Sequence, residues 1–158
     1  MKISEINKIL VVSDCVKFTK NIGKQLSQSL GMMFCDVDDL VEYELIDKDK
    51  IKEICSADYL KDREKKVMQH FASFENVVGS VDAAYFLKNS KILKKNTLVV
   101  FVKLPKSFVD CNASEIEKLS QTDRETRLQS LANATVVVRK TDDKFVCEKI
   151  IETLRGLL

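Results

Sequence analysis

The chain has 158 residues, 45% hydrophobic and 32% charged, a balance that lets one domain bury a substantial core. Its formal net charge is only +2 and its lysines are scattered in short runs such as Lys65-Lys66 and Lys94-Lys95, so no basic stripe argues for nucleic acid or an anionic membrane. The longest apolar runs are too short to span a bilayer, and the polar start MKISEINKILVV lacks the apolar stretch of a secretion signal, which leaves the cytoplasm as the expected compartment.

In chain order, residues 9–12 read as a short all-apolar strand. Residues 19–30 read as a helix, with Ile22, Leu26 and Leu30 on one face and Gly31 as its stop. A second strand is expected at 33–35. Helices are expected at 38–45, 48–55 and 58–74, the last rich in charge on one side. A strand at 76–80 precedes a weak helix over 87–94. TLVVFV at 97–102 is the clearest buried strand, and Pro105, the only proline, marks a turn after it. A helix over 114–131, a strand over 135–139 and an amphipathic helix over 143–157 complete the chain. Short apolar strands alternating with longer helices imply an α/β fold with a five-stranded parallel sheet covered by helices on both faces. No linker, repeat or low-complexity segment divides it, so residues 1–158 are expected to form a single domain.

Five cysteines at wide spacings, Cys15, Cys35, Cys55, Cys111 and Cys147, contain no CxxC pair and suggest neither a disulfide framework nor a zinc site. The lone histidine, His70, lies in a helical stretch with no second histidine and reads as a surface or core-edge residue.

Ligands of such a sheet bind beyond the carboxyl ends of its strands. That directs attention to the loops expected at 13–18, 36–39, 80–84 and 103–112. The first, VVSDCVKFTKNIGK, stands where a phosphate loop would stand. A working loop reads GxxxxGK followed by Ser or Thr, because glycines let consecutive backbone N–H groups curl around phosphate oxygens. Those positions hold Ser13, Phe18, Thr19 and Lys20 here, so both glycines, the lysine and the hydroxyl site are replaced. Phe18 is expected to crowd the phosphate space. Lys17 and Lys20 supply charge without a nest of donors, and Asp14 is placed to cap the free N–H groups of the helix itself.

The next segment carries a family resemblance. LGMMFCDVDDLVEYE (30–44) resembles the LGxxFxDxDxxIE segment of shikimate kinases, small phosphate-loop kinases of aromatic amino acid synthesis. In the same order, SADYLKDRE (56–64) is similar to the family's GExxFRxxE, with Leu60 and Lys61 in place of the Phe and Arg and Glu64 kept. Val81, Asp82 and Ala83 stand where the family has three glycines. RETRLQSLANATVVV (124–138) keeps the arginine and the alanine, at Arg124 and Ala132. The resemblance covers nearly the whole chain and implies a three-layer phosphate-loop kinase fold.

Carried over position by position, the resemblance implies Asp36 as a magnesium residue and Asp38, Lys61 and Arg124 as ligands of a shikimate-like substrate. Lys17, Thr19 and Lys20 are the only candidates toward a nucleotide. Lys61 lacks the bidentate fork of an arginine. Val81 and Asp82 obstruct the approach that glycines would allow. KSFVDCNASEIEKLSQTD (106–123) is shorter than the family's lid and contains no arginine. The expectation is therefore a kinase-like domain without catalytic residues, needing no cofactor, that serves as a binding or regulatory subunit beside an enzyme of the same pathway or a second copy of itself. Two alternatives stand against it. One is a divergent kinase that uses Mg-ATP through Lys17 or Lys20. The other is a small hydroxy-acid binding protein indifferent to nucleotide. Structural readings of the same residues are that Asp36 and Asp38 cap a helix, that Lys61 and Glu64 pair on a solvated face, and that Arg124 belongs to an exposed charge cluster.

Overall fold

β1 (Lys8–Ser13, KILVVS) is buried at every position, which is why its sequence shows no polar alternation. In the computed structural model, which describes residues 7–45, 56–114, 117 and 121–157, β1 is the middle strand of five. The others are β2 (Met33–Asp36), β3 (Val77–Asp82), β4 (Leu98–Lys103) and β5 (Ala134–Val137), paired in parallel in the order β2-β3-β1-β4-β5. The expected strands are all present. The helix expected over 48–55 lies outside the described residues.

Alternate residues of each strand feed two cores. Ile9, Val11, Val78, Val100, Val102 and Val136 point to one side. There they meet α1 (Val16–Leu30) through Phe18, Ile22 and Leu26, and α8 (Asp143–Gly156) through Val146, Ile150 and Leu154. Leu10, Val12, Val77, Val81, Val99 and Phe101 point to the other side. That face is covered by α2 (Val37–Glu44), α3 (Ala57–Ala72), α4 (Ala83–Lys88), α5 (Ser90–Leu93) and α7 (Gln121–Leu131). Between β4 and α7 the chain forms a further helix, α6 (Lys106–Asn112), where the sequence suggested only a turn. Pro105 sets its start, because a proline ring suits the end of a helix that needs no N–H donor.

The ends are fixed by identifiable contacts. Gly31, at φ 65°, closes α1, with the Met32 N–H donating to the Ser27 carbonyl at 2.9 Å. Buried Lys8 donates to the Ala72 carbonyl at 2.5 Å and so ties β1 to the end of α3. Gly79 allows α3 to approach the sheet: a Cβ there would lie 2.4 Å from Cζ of Phe71, whose ring is fully buried and has nowhere to go. Gly79→Ala is accordingly expected to cost about 1–3 kcal/mol of stability, read from denaturant unfolding, while Gly156, with open space around it, tolerates alanine.

Candidate functional site

The carboxyl ends of β1, β2 and β3 define the site. After β1 only Asp14 and Cys15 intervene before α1 begins at Val16. The loop expected over 13–18 is therefore a two-residue turn, and the helix starts three residues earlier than its apolar spacing indicated. The turn is closed by short polar contacts. The Thr19 N–H donates to the Cys15 carbonyl at 3.0 Å, the Thr19 hydroxyl donates to the same carbonyl at 2.9 Å, and the Ser13 and Thr19 hydroxyls bond to each other. Phe18 does not enter a phosphate space. It is buried in the α1 side of the core, edge-on to Phe108 at a centroid distance of 5.3 Å.

Asp14 does not cap α1. Its Oδ1 accepts from Nε of Arg124 at 2.7 Å, and Arg124 also donates to the carbonyl of Glu117. The group at the helix end is Glu117, whose Oε2 accepts from the Val16 N–H at 3.0 Å although the two lie 101 residues apart in sequence. Its other oxygen accepts from the Ser114 N–H at 2.8 Å, and the Ser114 hydroxyl accepts from the Glu117 N–H at 3.2 Å, a reciprocal capping box. The anion position at the start of α1 is thus filled by the chain's own carboxylate. Arg124 does not lie on an exposed face: its side chain is 14% exposed and that of Asp14 is 0%. Burial raises Asp14 to about 7, reinforced by neighbouring Glu125 and opposed by Arg124.

The DxD segment forms the other half. Asp36 caps α2, accepting from the Asp39 N–H at 2.8 Å, while its second oxygen accepts from the Ser80 hydroxyl at 2.5 Å. Asp38 does not cap. It reaches from α2 to the end of β3, where Oδ2 accepts from the Asp82 N–H at 3.0 Å and Oδ1 is buried without a hydrogen-bond partner. Burial raises Asp38 to about 7, with Asp36 and Asp82 adding repulsion. Asp82 is raised too, chiefly by burial, and caps α4 through the Ala84 and Tyr85 N–H groups. Val81 and Ala83 on either side are core residues.

The remaining candidates disperse. Thr19 is buried in the first turn of α1, Lys20 is paired with Asp39 at 2.5 Å, and Lys17 is exposed. Lys61 is exposed on α3 and lines a cleft toward α4 and α5. Of the three expected substrate ligands, Asp38 and Arg124 share a neighbourhood through Asp82, which adds repulsion on Asp38 and feels Arg124, whereas Lys61 lines the cleft between α3, α4 and α5. Among the described residues, no group of three or more His, Cys, Asp or Glu side chains is placed to hold a metal ion. His70 is exposed and pairs with Glu44, and Cys15, Cys35, Cys111 and Cys147 are free thiols. No helix among the described residues is long and apolar enough to cross a membrane.

The sequence reading did not find Glu117. The pattern Ser114-x-x-Glu117 signals a helix start, but nothing local tells that the same carboxylate reaches α1.

A parallel five-stranded sheet in this order, with its polar residues gathered at the carboxyl ends, defines a kinase-type α/β domain of the phosphate-loop class. Comparison with known proteins specifies it further. The family model for shikimate kinase matches residues 20–155, beginning inside α1, and the chain belongs to that family. It is 28% identical over 110 residues to a shikimate kinase of Persephonella marina, an overlap of 65% of this chain and 66% of that protein. The crystal structure of shikimate kinase from Aquifex aeolicus superposes with a TM-score of 0.75 at 22% identity, covering 94% of this chain and 96% of that one. Shikimate kinase from Acinetobacter baumannii, solved in complex with shikimate, gives 0.75 at 19% identity, covering 97% and 95%.

Proposed function

We propose that this member of the shikimate kinase family does not transfer phosphate and acts as a binding or regulatory subunit, beside an enzyme of the same pathway or a second copy of the chain. The observation that carries the reading is the start of α1: a two-residue turn without glycine, after which the first helix N–H, that of Val16, is held by Glu117. Phosphoryl transfer is mostly positioning and charge stabilisation, and loss of one preorganised donor costs about 10²–10³ in rate. Here the loop glycines and lysine are replaced by Ser13, Phe18 and Thr19, and an incoming triphosphate would meet Asp14, Asp36, Asp38, Asp82 and Glu117 with Arg124 already engaged. The divergent-kinase alternative would need Lys17 or Lys20 to serve the phosphates and Asp36 the magnesium. Against it, Asp39 holds the Lys20 ammonium and raises it further. The hydroxy-acid alternative would use Asp38, Lys61 and Arg124.

Thermal unfolding of the whole protein with Mg-ATP, with shikimate and with both separates these readings. The proposal expects no shift with Mg-ATP. A ligand at a hundred times its dissociation constant adds about 2.7 kcal/mol, a shift of several degrees for a domain of this size. Such a shift with Mg-ATP would overturn it, and a shift with shikimate alone would favour the hydroxy-acid reading.

A further inference from the structure

Charge is segregated on the helical layer that carries α2 to α5. Residues 25–45 hold five acids and no lysine or arginine, and residues 83–109 hold six lysines and no acid. Folding puts the exposed part of each block on a helix of the same layer. α2 presents Asp39 and Glu42, and the α4–α5 corner presents Lys91 and Lys95 with half-buried Lys88 and Lys94 beside them. α3 packs against both α2 and α5 and so lies between the two patches. Asp39 pairs with Lys20, but Glu42 and the four lysines have no ion-pair partner among the described residues. On the opposite layer α8 alternates Asp143, Lys144, Glu148, Lys149, Glu152 and Arg155, the mixed pattern of a solvated helix. Exposed aromatic surface lies with the segregated charge. Tyr43 on α2 is 78% exposed and Tyr59 on α3 is 48% exposed. Tyrosine is among the side chains that interfaces use as anchors.

We propose that this layer is the contact surface between two copies of the chain, related by a two-fold axis running along the outer face of α3. Such an axis exchanges the two sides of α3, so the acidic α2 of each copy meets the basic α4–α5 corner of the other, and the pairing occurs twice. Tyr43 and Tyr59 enter the interface beside it. A second copy fits better than an unrelated partner because the chain itself supplies both complementary charges, in patches on either side of one helix. The dimer names the partner in the binding-subunit reading, yet it stands apart from the loss of phosphate transfer: a parent that dimerises and also shifts with Mg-ATP keeps the dimer and loses the other reading.

Sedimentation velocity of the whole protein from about 1 to about 100 μM, at about 0.05 M and about 0.5 M salt, tests this. The expected result is a monomer–dimer equilibrium that weakens at high salt. K91E/K95E and D39K/E42K should each weaken the dimer about tenfold or more, because each sets like charges against one another. An equimolar mixture of the two variants should regain the parent's association, since the reversed corner of one then meets the reversed α2 of the other. A merely structural defect gives no such recovery. A parent that stays monomeric at the highest concentration and lowest salt, growth into larger polymers, double variants that dimerise as the parent does, or a mixture that stays monomeric overturns the proposal. Circular dichroism of each variant confirms that it is folded before sedimentation.

Discussion

Arg124→Ala should lower the unfolding free energy by about 3 kcal/mol, at the low end of what removing one partner of a buried ion pair costs. The reason is Asp14, whose side chain is fully buried and whose Oδ1 depends on Arg124 Nε at 2.7 Å. Without the guanidinium the carboxylate sits beside Glu125 with no cation, and it escapes the full penalty only by taking a proton. The loss should therefore grow as pH rises past about 7, where Asp14 must ionise. The same substitution also frees the Glu117 carbonyl that Arg124 holds. Denaturant unfolding of R124A, D14N and the double variant measures this, and the double variant should recover part of the loss because the buried charge is gone. A cost below about 1 kcal/mol for R124A, the value of an exposed surface pair, would contradict the buried-pair account.

The second large effect is a dependence of stability on pH that falls in an unusual direction for a carboxylate. Asp38 has a folded value of about 7 against an ordinary 3.8, because burial and then Asp36 and Asp82 disfavour its charge. The folded state therefore binds a proton that the unfolded state releases. This stabilisation is complete below about pH 4, declines as the unfolded chain ionises, and is gone above about pH 7. The change from 3.8 to about 7 corresponds to roughly 4 kcal/mol across that window. The geometry agrees with burial as the cause, since Oδ2 accepts only the Asp82 N–H and Oδ1 is buried without a hydrogen-bond partner. D38N should match the parent below about pH 4 and exceed it at about pH 8, where the parent has lost that stabilisation and must hold a buried charge. Unfolding curves of the two proteins that run parallel between those pH values would refute a protonated Asp38.

The two halves of the site differ in how far the sequence reveals them. The DxD segment is visible because its function in the fold is local: Asp36 caps the helix that starts at the next residue, and a capping aspartate followed by apolar spacing can be read directly. The central strands are visible because burial removes polar residues from their middles, ILVV in β1 and VVFV in β4. The reading of Arg124 as part of an exposed cluster fails because DRETR looks like any charged helix surface; in contact with Asp14, just past the end of β1, its side chain is only 14% exposed. The β1–α1 turn was read as a loop for a related reason. The phosphate-loop pattern assigns residues 13–18 to one stretch, whereas here the helix begins at Val16 and Phe18 is buried against Phe108 of α6.

By itself, then, the sequence determined the alternation of strands and helices, the sheet class and the absence of phosphate-loop glycines, because periodicity and backbone freedom act over a few residues. Tertiary structure alone decided that Glu117 occupies the start of α1, that Asp14 and Arg124 form a buried pair, that Lys61 turns toward a lysine-lined cleft, and that Asp38 is raised to about 7. Each of these depends on charges brought together from distant parts of the chain, and on burial that makes their interaction strong.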